Sequence, residues 1–358
     1  MVRVGLVGIG FMGWIHYLAY RQVAGVELRA ICSRDAKKRG GDWRGIQGNF
    51  GPPGEQIDVS GLAAYERLEE LLADPQIDLV DLCLPPAQHA DAAVAALEAG
   101  KHVFCEKPMA LTDADCQRMV AASERSGRQL FVGHVLPLFP EYAFAYQAAV
   151  DGTYGRVLGG YFKRVISDPT WLADFYDPQR VGGPLLDLHV HDAHYIRLLF
   201  GTPSAVSSVG RMRGEVVEFC HTVFDYPGDT AGGGRYAVSA SSGVINQQGR
   251  PFTHGFEIHF ERATLQFEFA VIGGEGRLMM PLTVYAADGS VHTPALSDGD
   301  PTLAFVGEIQ EVARCVESGQ PSRVLGAELA QDAIRLCHCQ TESVRSGRTV
   351  VVQASRLP

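Results

Sequence analysis

The sequence predicts an α/β chain of two domains: a doubly wound parallel sheet over residues 1–135, then an α+β domain with a mainly antiparallel open sheet over 136–358. Three observations predict it. Short apolar runs alternate with helix-compatible stretches through the first third, the pattern of parallel strands covered on both faces. From about Pro137 the pattern becomes apolar–polar alternation, as in Phe256-Glu257-Ile258-His259-Phe260 and Leu265-Gln266-Phe267-Glu268-Phe269. Period two belongs to a sheet with one covered and one wetter face. A length of 358 residues also exceeds what one small core supports.

Val2–Val7 reads as the first strand, followed by Gly8-Ile9-Gly10-Phe11-Met12-Gly13 and a helix over 14–23. A strand ending in G-x-G-x-x-G at a helix start lets the backbone approach a pyrophosphate. Gly8 makes the tight turn, Gly10 leaves room for the phosphate and Gly13 lets helix and strand pack closely. The free N–H groups of the turn and first helical residues, Phe11 and Met12 among them, favour negative charge. A tight strand–helix turn in another α/β protein is the competing reading. Val26–Cys32 is the next strand. About 20 residues past the last glycine, a carboxylate would grip the ribose 2′-hydroxyl of NAD. Ser33 and Arg34 stand there instead, with Lys37, Lys38, Arg39 and Arg44 against Asp35 and Asp42. Serine and a guanidinium suit a 2′-phosphate, so the expected cofactor is NADP, with NAD possible. The alternative is a solvated basic helix start beside an NAD site.

Residues 40–61, with Pro52-Pro53, read as a loop, and 62–73 as a helix with Leu68, Leu71 and Leu72 inward. A strand over 78–84 ends at Pro85 to His89, and an alanine-rich helix over 90–99 is closed by Gly100. The strand over 101–105 runs into Glu106-Lys107-Pro108. Thr112 or Asp113 then caps a helix reaching Ser126, before a strand over 129–133. Ligands of such sheets bind outside the carboxyl ends of the strands, which places Pro85, His89, Glu106 and Lys107 beside the glycine turn. A lysine there can hydrogen-bond a substrate hydroxyl and stabilise developing oxyanion character. The bland alternatives are an exposed loop lysine and a histidine that only satisfies backbone groups.

In the second half, strands are predicted over 156–166, 204–213, 215–226 and 234–242, an edge strand over 281–286 and a closing one over 349–352. Thr302–Ser318 and Ala327–Ser346 read as helices. The informative stretch runs from Gly182 to His194. Proline after two glycines starts a helix that Gly201 ends. On it Asp187, His191 and His194 fall at i, i+4 and i+7 and share a face, while His189 points elsewhere. A carboxylate and an imidazole one turn apart make a substrate clamp and proton acceptor near neutrality. The three would also suit zinc; because one helix supplies all of them, no metal is expected. Hydrogen-bonded core histidines are the third reading, preferred for His189. Arg164, Trp171 and Tyr176, between a strand and this helix, are candidate ring contacts.

The chain is 46% apolar and 20% charged, ordinary for a folded protein, and its net charge of −10 argues against a nucleic-acid partner. No signal-peptide pattern opens it and no apolar run nears the roughly 18 residues that span a bilayer, so no membrane partner is expected and the cytoplasm is the expected location. Its eight cysteines are scattered without a C-x-x-C pair, which reads as reduced structural thiols.

The glycine turn, Glu106-Lys107-Pro108 and Asp187-x-x-x-His191 together resemble the Gfo/Idh/MocA oxidoreductase family, over essentially the whole chain. The resemblance implies a Rossmann domain followed by a C-terminal α/β domain. It also implies oxidation of a secondary hydroxyl of a sugar, inositol or related polyol, or the reverse reduction. By motif, Lys107 corresponds to the family's catalytic lysine, His191 to its acid/base histidine and Asp187 to the carboxylate that orients substrate or histidine. The expected substrate contacts are Lys107, Arg164, Trp171, Asp187, His191 and His194. The chain departs from the family at His189, often glycine, at His194, often aspartate, and at Pro137, near a frequent arginine. A lyase or glycosidase that oxidises its sugar transiently with tightly held NAD is the alternative, and a nucleotide-sensing binding protein the third class. An apolar open face on the second sheet would favour a homodimer or homotetramer.

Overall fold

Apolar runs near the N-terminus form a wholly parallel sheet of β1 (Val2–Val7), β2 (Val26–Cys32), β3 (Ala63–Tyr65), β4 (Leu79–Leu82), β5 (His102–Glu106) and β6 (Leu130–Gly133), in the order β3-β2-β1-β4-β5-β6. The computed structural model describes residues 1–227, 236–296 and 300–353. The chain divides into two units, Met1–Phe139 with Gly299–Gln331, and Pro140–Asp298 with Asp332–Pro358.

In the first unit α1 (Phe11–Tyr20), α2 (Ala36–Arg39), α3 (Leu68–Leu72), α4 (His89–Glu98) and α5 (Asp113–Ser126) connect the strands. Thr112 is the cap of α5, its Oγ1 accepting from the Asp115 N–H at 3.1 Å. The predicted helix over 62–73 is divided. Residues 63–65 pair with β2 as an edge strand, and one leucine-rich turn remains helical. The open backbone edge of β2 claims a segment whose Ala-Ala side chains offer little to bury. Strand order reverses between β1 and β4, which opens the crevice outside their carboxyl ends.

In the second unit come α6 (Pro140–Asp151), β7 (Val157–Ser167), a wide π-helical turn at Leu185–His189 and α7 (Val190–Phe200). The strands β8 (Ala205–Arg213), β9 (Val216–Asp225), β10 (Ala237–Ile245), β11 (Phe252–Phe260), β12 (Ala263–Ile272), β13 (Glu275–Ala286) and β14 (Val291–His292) follow. They form a sheet ordered β14-β13-β12-β11-β7-β10-β9-β8, in which only β7 and β10 pair in parallel. Helix α6 has no counterpart in the sequence reading. It buries Tyr142, Ala145 and Ala148 yet is apolar nearly all round, so no periodic stripe marks it. The predicted edge strand over 281–286 is the second half of the longer β13, and β14 is the edge. Residues 234 and 235 of the predicted 234–242 strand lie outside the described residues. One sheet face buries Phe162, Phe256 and Phe267, with Tyr195 and Phe200 of α7 at 6.1 and 6.2 Å from the Phe162 ring. The opposite face exposes Tyr161, Val209 and Val223.

Helix α8 (Thr302–Ser318) belongs to the first unit: Phe305, Ile309 and Val312 join one core cluster with Trp14, Ile15, Phe104 and Phe131. Helix α9 (Ala327–Ser346) and β15 (Val350–Val351), which pairs with β8, complete the chain. Among the described residues, no helix is long and apolar enough to cross a membrane.

Candidate active site

In the first unit the glycine turn is sterically obligatory. A Cβ on Gly8, where φ is +94°, would lie 2.4 Å from the Cys83 carbonyl oxygen, and one on Gly13 would lie 2.2 Å from that of Gly8. At Gly10, by contrast, a Cβ would meet nothing within 4 Å, and no side chain caps α1 there. Open space in front of uncapped helical N–H groups fits a diphosphate. At the end of β2, Ser33 is half-buried and its Oγ accepts from the Asp35 N–H at 3.2 Å, while Arg34 and Lys37 are exposed. Arg44 pairs with Asp42 at 2.8 Å, and two further cations hold the turn. Lys38 Nζ donates to the Ile9 carbonyl at 2.5 Å, and Arg39 donates to the Ser33 carbonyl at 2.7 Å and to Glu66 at 2.9 Å.

Lys107 is half-buried just past β5, and its peptide bond to Pro108 is cis. Glu106 and His89, expected at the cofactor, are enclosed instead. Glu106 presents one oxygen to His16 Nε2 at 3.1 Å and the other to the Lys107 N–H at 3.0 Å. His89 is fully buried with its ring nitrogens 2.7 Å from the Leu84 carbonyl and 2.8 Å from that of Pro108. Burial pushes its pKa below the ordinary imidazole value. Both residues therefore hold backbone in place.

Behind them lies a group the sequence reading missed. His16 of α1, Asp81 of β4, Glu106 and Glu308 of α8 are all buried, and Tyr20 Oη donates to Asp81 at 2.8 Å. His16 Nδ1 is 2.8 Å from Asp81 and 3.4 Å from the Cys83 sulfur. His16, Asp81 and Cys83 offer atoms within 4.8 Å of one another, but both ring nitrogens of His16 face carboxylates. That is the setting of an imidazolium and not of a metal ligand. The available signal was Asp81, a carboxylate inside an apolar strand covered on both faces.

In the second unit the wide turn at Leu185–His189 changes the predicted face. Asp187 lies within it and His191 and His194 lie in the regular helix after it, and Asp187 and His191 are half-buried while His194 is fully enclosed. His189 is buried too, its Nε2 3.0 Å from the Gln340 amide nitrogen, and burial lowers its pKa. Arg164 is not presented to a ligand. It is 5% exposed, and Nε and Nη2 donate to the Asp192 oxygens at 2.7 and 3.1 Å. Nearby Tyr142 Oη lies 3.0 Å from His254 Nδ1, and burial with the Arg164 charge holds that histidine well below its usual pKa. Tyr176 is fixed, donating to Asp168 at 3.0 Å beneath the Arg213 guanidinium 4.1 Å from its ring centroid. Trp171 is 68% exposed.

Comparison with known proteins agrees with this geometry. Residues 2–134 match the model described as "Oxidoreductase family, NAD-binding Rossmann fold", and residues 142–266 match the "GFO/IDH/MocA C-terminal domain". The chain belongs to the Gfo/Idh/MocA family of oxidoreductases, and its first unit is the NAD-binding Rossmann domain. It is 31% identical over 213 residues to an uncharacterized oxidoreductase of Rhizobium meliloti, covering 58% of this chain and 59% of that one. It is 26% identical to a myo-inositol 2-dehydrogenase of Thermotoga maritima, covering 98% and 99% of the two chains. Its fold is similar to that of a levoglucosan dehydrogenase in complex with NADH and levoglucosan, with a TM-score of 0.77, 22% identity and 98% and 99% coverage.

The Arg164–Asp192 pair generates a stability prediction. Arg164→Met leaves a buried carboxylate without its partner and is expected to cost about 3–5 kcal/mol, much of it recovered in Arg164→Met/Asp192→Leu. Denaturant titration followed by circular dichroism checks both; parental stability in the single variant would contradict a structural role.

Proposed function

We propose that the protein is a dehydrogenase or reductase acting with NADP, or less well with NAD, on a secondary hydroxyl or ketone of a sugar, inositol or related polyol. The observation that carries this reading is selective accessibility. Lys107, Asp187 and His191 are each half-buried, whereas the neighbouring His89, His189 and His194 are enclosed. The myo-inositol and levoglucosan enzymes named above act on ring compounds rich in hydroxyls, which supports that substrate class.

When bound, the nicotinamide takes up or supplies the hydride. His191 accepts the hydroxyl proton at a ring nitrogen during oxidation and returns it during reduction. Lys107 Nζ donates to the reacting oxygen and stabilises its negative character. Asp187, one turn before His191, orients the imidazole or a substrate hydroxyl. Exposed Trp171 is the remaining candidate for stacking on the ring. The Tyr161, Val209 and Val223 face is covered by a second copy of the chain, giving a solution mass that is a multiple of 38.8 kDa by sedimentation; a monomer would overturn that clause.

Lys107→Ala and His191→Ala are expected to lower kcat/KM about 10²–10⁴-fold at nearly unchanged nucleotide affinity. Turnover at the parental rate in both would refute the assignment. Calorimetric titration of nucleotide-stripped protein is expected to show tighter binding of NADP than of NAD, with the preference lost in Arg34→Ala. Tighter NAD binding would overturn the NADP reading, and a nucleotide that cannot be stripped would favour transient substrate oxidation.

A further inference from the structure

The buried ionic group of the first unit is larger than a nucleotide-binding turn requires. His16 has no exposed surface, and its two nitrogens stand 2.8 Å from Asp81 and 3.1 Å from Glu106. A carboxylate only accepts, so each nitrogen donates and the ring carries a positive charge. Burial opposes that charge, and the Asp81 carboxylate counters it, so the pKa of His16 stands well above the ordinary imidazole value. Tyr20 braces Asp81 from the next turn of α1, at 2.8 Å. Glu308 enters from α8 fully buried, with neither carboxyl oxygen hydrogen-bonded among the described residues. Burial and the Glu106 charge hold its pKa well above the carboxylate range. Cys83 is likewise held as a thiol by burial. The His16 ring thus lies between two carboxylates, closed by Tyr20, Cys83 and Glu308.

Its outlet is Lys107. The Glu106 oxygen not used by His16 accepts the Lys107 N–H at 3.0 Å. On the other side of the lysine, His89 Nδ1 lies 2.8 Å from the Pro108 carbonyl and Nε2 lies 2.7 Å from that of Leu84, and a neutral ring donates to one of the two. A buried histidine therefore stands on either side of the Lys107 backbone. His16 also lies in the helix that begins at the glycine turn, five residues after Phe11.

We propose that His16 and His89 are positioning residues for Lys107: neither touches the substrate, and they act by clamping Glu106 and the Pro108 carbonyl on either side of the lysine. The inference rests on the role given to Lys107 above. A misplacement of the order of an ångström at a reacting group costs about 10²-fold in rate, which is the size of effect available to such a clamp.

The test is a double-mutant cycle with an independent structural readout. His16→Gln is expected to lower kcat about 10–100-fold while the nucleotide dissociation constant changes less than about 3-fold. In a Lys107→Ala background the same change is expected to alter kcat by less than about 2-fold, because the group it positions is gone. Equal factors in both backgrounds would overturn the proposal and leave His16 a general stabiliser. In parallel, hydrogen exchange at the Lys107 amide is expected to accelerate in His16→Gln while the amides of β1 and β6 stay protected. An unchanged Lys107 amide would also overturn it. If His16→Gln does not fold, His89→Gln enters the same cycle with the same two criteria. Exchange needs no turnover, so a parent protein inactive on every polyol whose Lys107 amide still responds would refute the proposed reaction and retain the clamp.

Discussion

No side chain fits where α1 leaves β1, and the chemistry of the first unit depends on that close approach. Gly8 and Gly13 bring backbone against backbone where α1 starts beside the carboxyl ends of β1 and β4. Its inward face then reaches the sheet interior. His16 and Tyr20 meet Asp81 in β4, and His16 meets Glu106 at the end of β5. A helix standing a few ångströms further out would leave those carboxylates buried without a cation, a severe penalty in a low-dielectric interior. The glycines that admit a diphosphate thus also permit the ionic group behind the lysine.

Buried histidines of this protein behave oppositely because their partners differ. His16 lies between carboxylates and is held in the charged form; His89, His189 and His254 face carbonyls, an amide or a phenol, and burial drives them towards the neutral form. Burial alone therefore does not set the protonation state of a histidine in this protein. The same reasoning separates Arg164 from a substrate clamp: a guanidinium already satisfied by a bidentate carboxylate in the interior has little left to offer a ligand.

Most of the parallel sheet was legible because its strands are continuous apolar runs punctuated by glycine and proline, and the antiparallel strands were legible from their period of two. The readings that failed have local causes. Ala63 to Tyr65 carries no periodic signal, and the free edge of β2 decides its conformation. Helix α6 is apolar nearly all round. The turn at Leu185–His189 widens, which a fixed helical period does not anticipate, and His194 is enclosed where Asp187 and His191 are half-buried.

By itself the sequence determined most of the strand and helix order, the obligatory glycines, and the presence of Lys107, Asp187 and His191 near element ends, because these follow from local periodicity and local sterics. Tertiary structure alone decided which polar side chains are enclosed and by whom. His16 and Glu106 are 90 residues apart, His16 and Asp81 65, and Arg164 and Asp192 28. Such pairs form only when strands and helices distant in sequence are packed together. Their electrostatics depend on the surroundings that packing creates, and no local pattern encodes them.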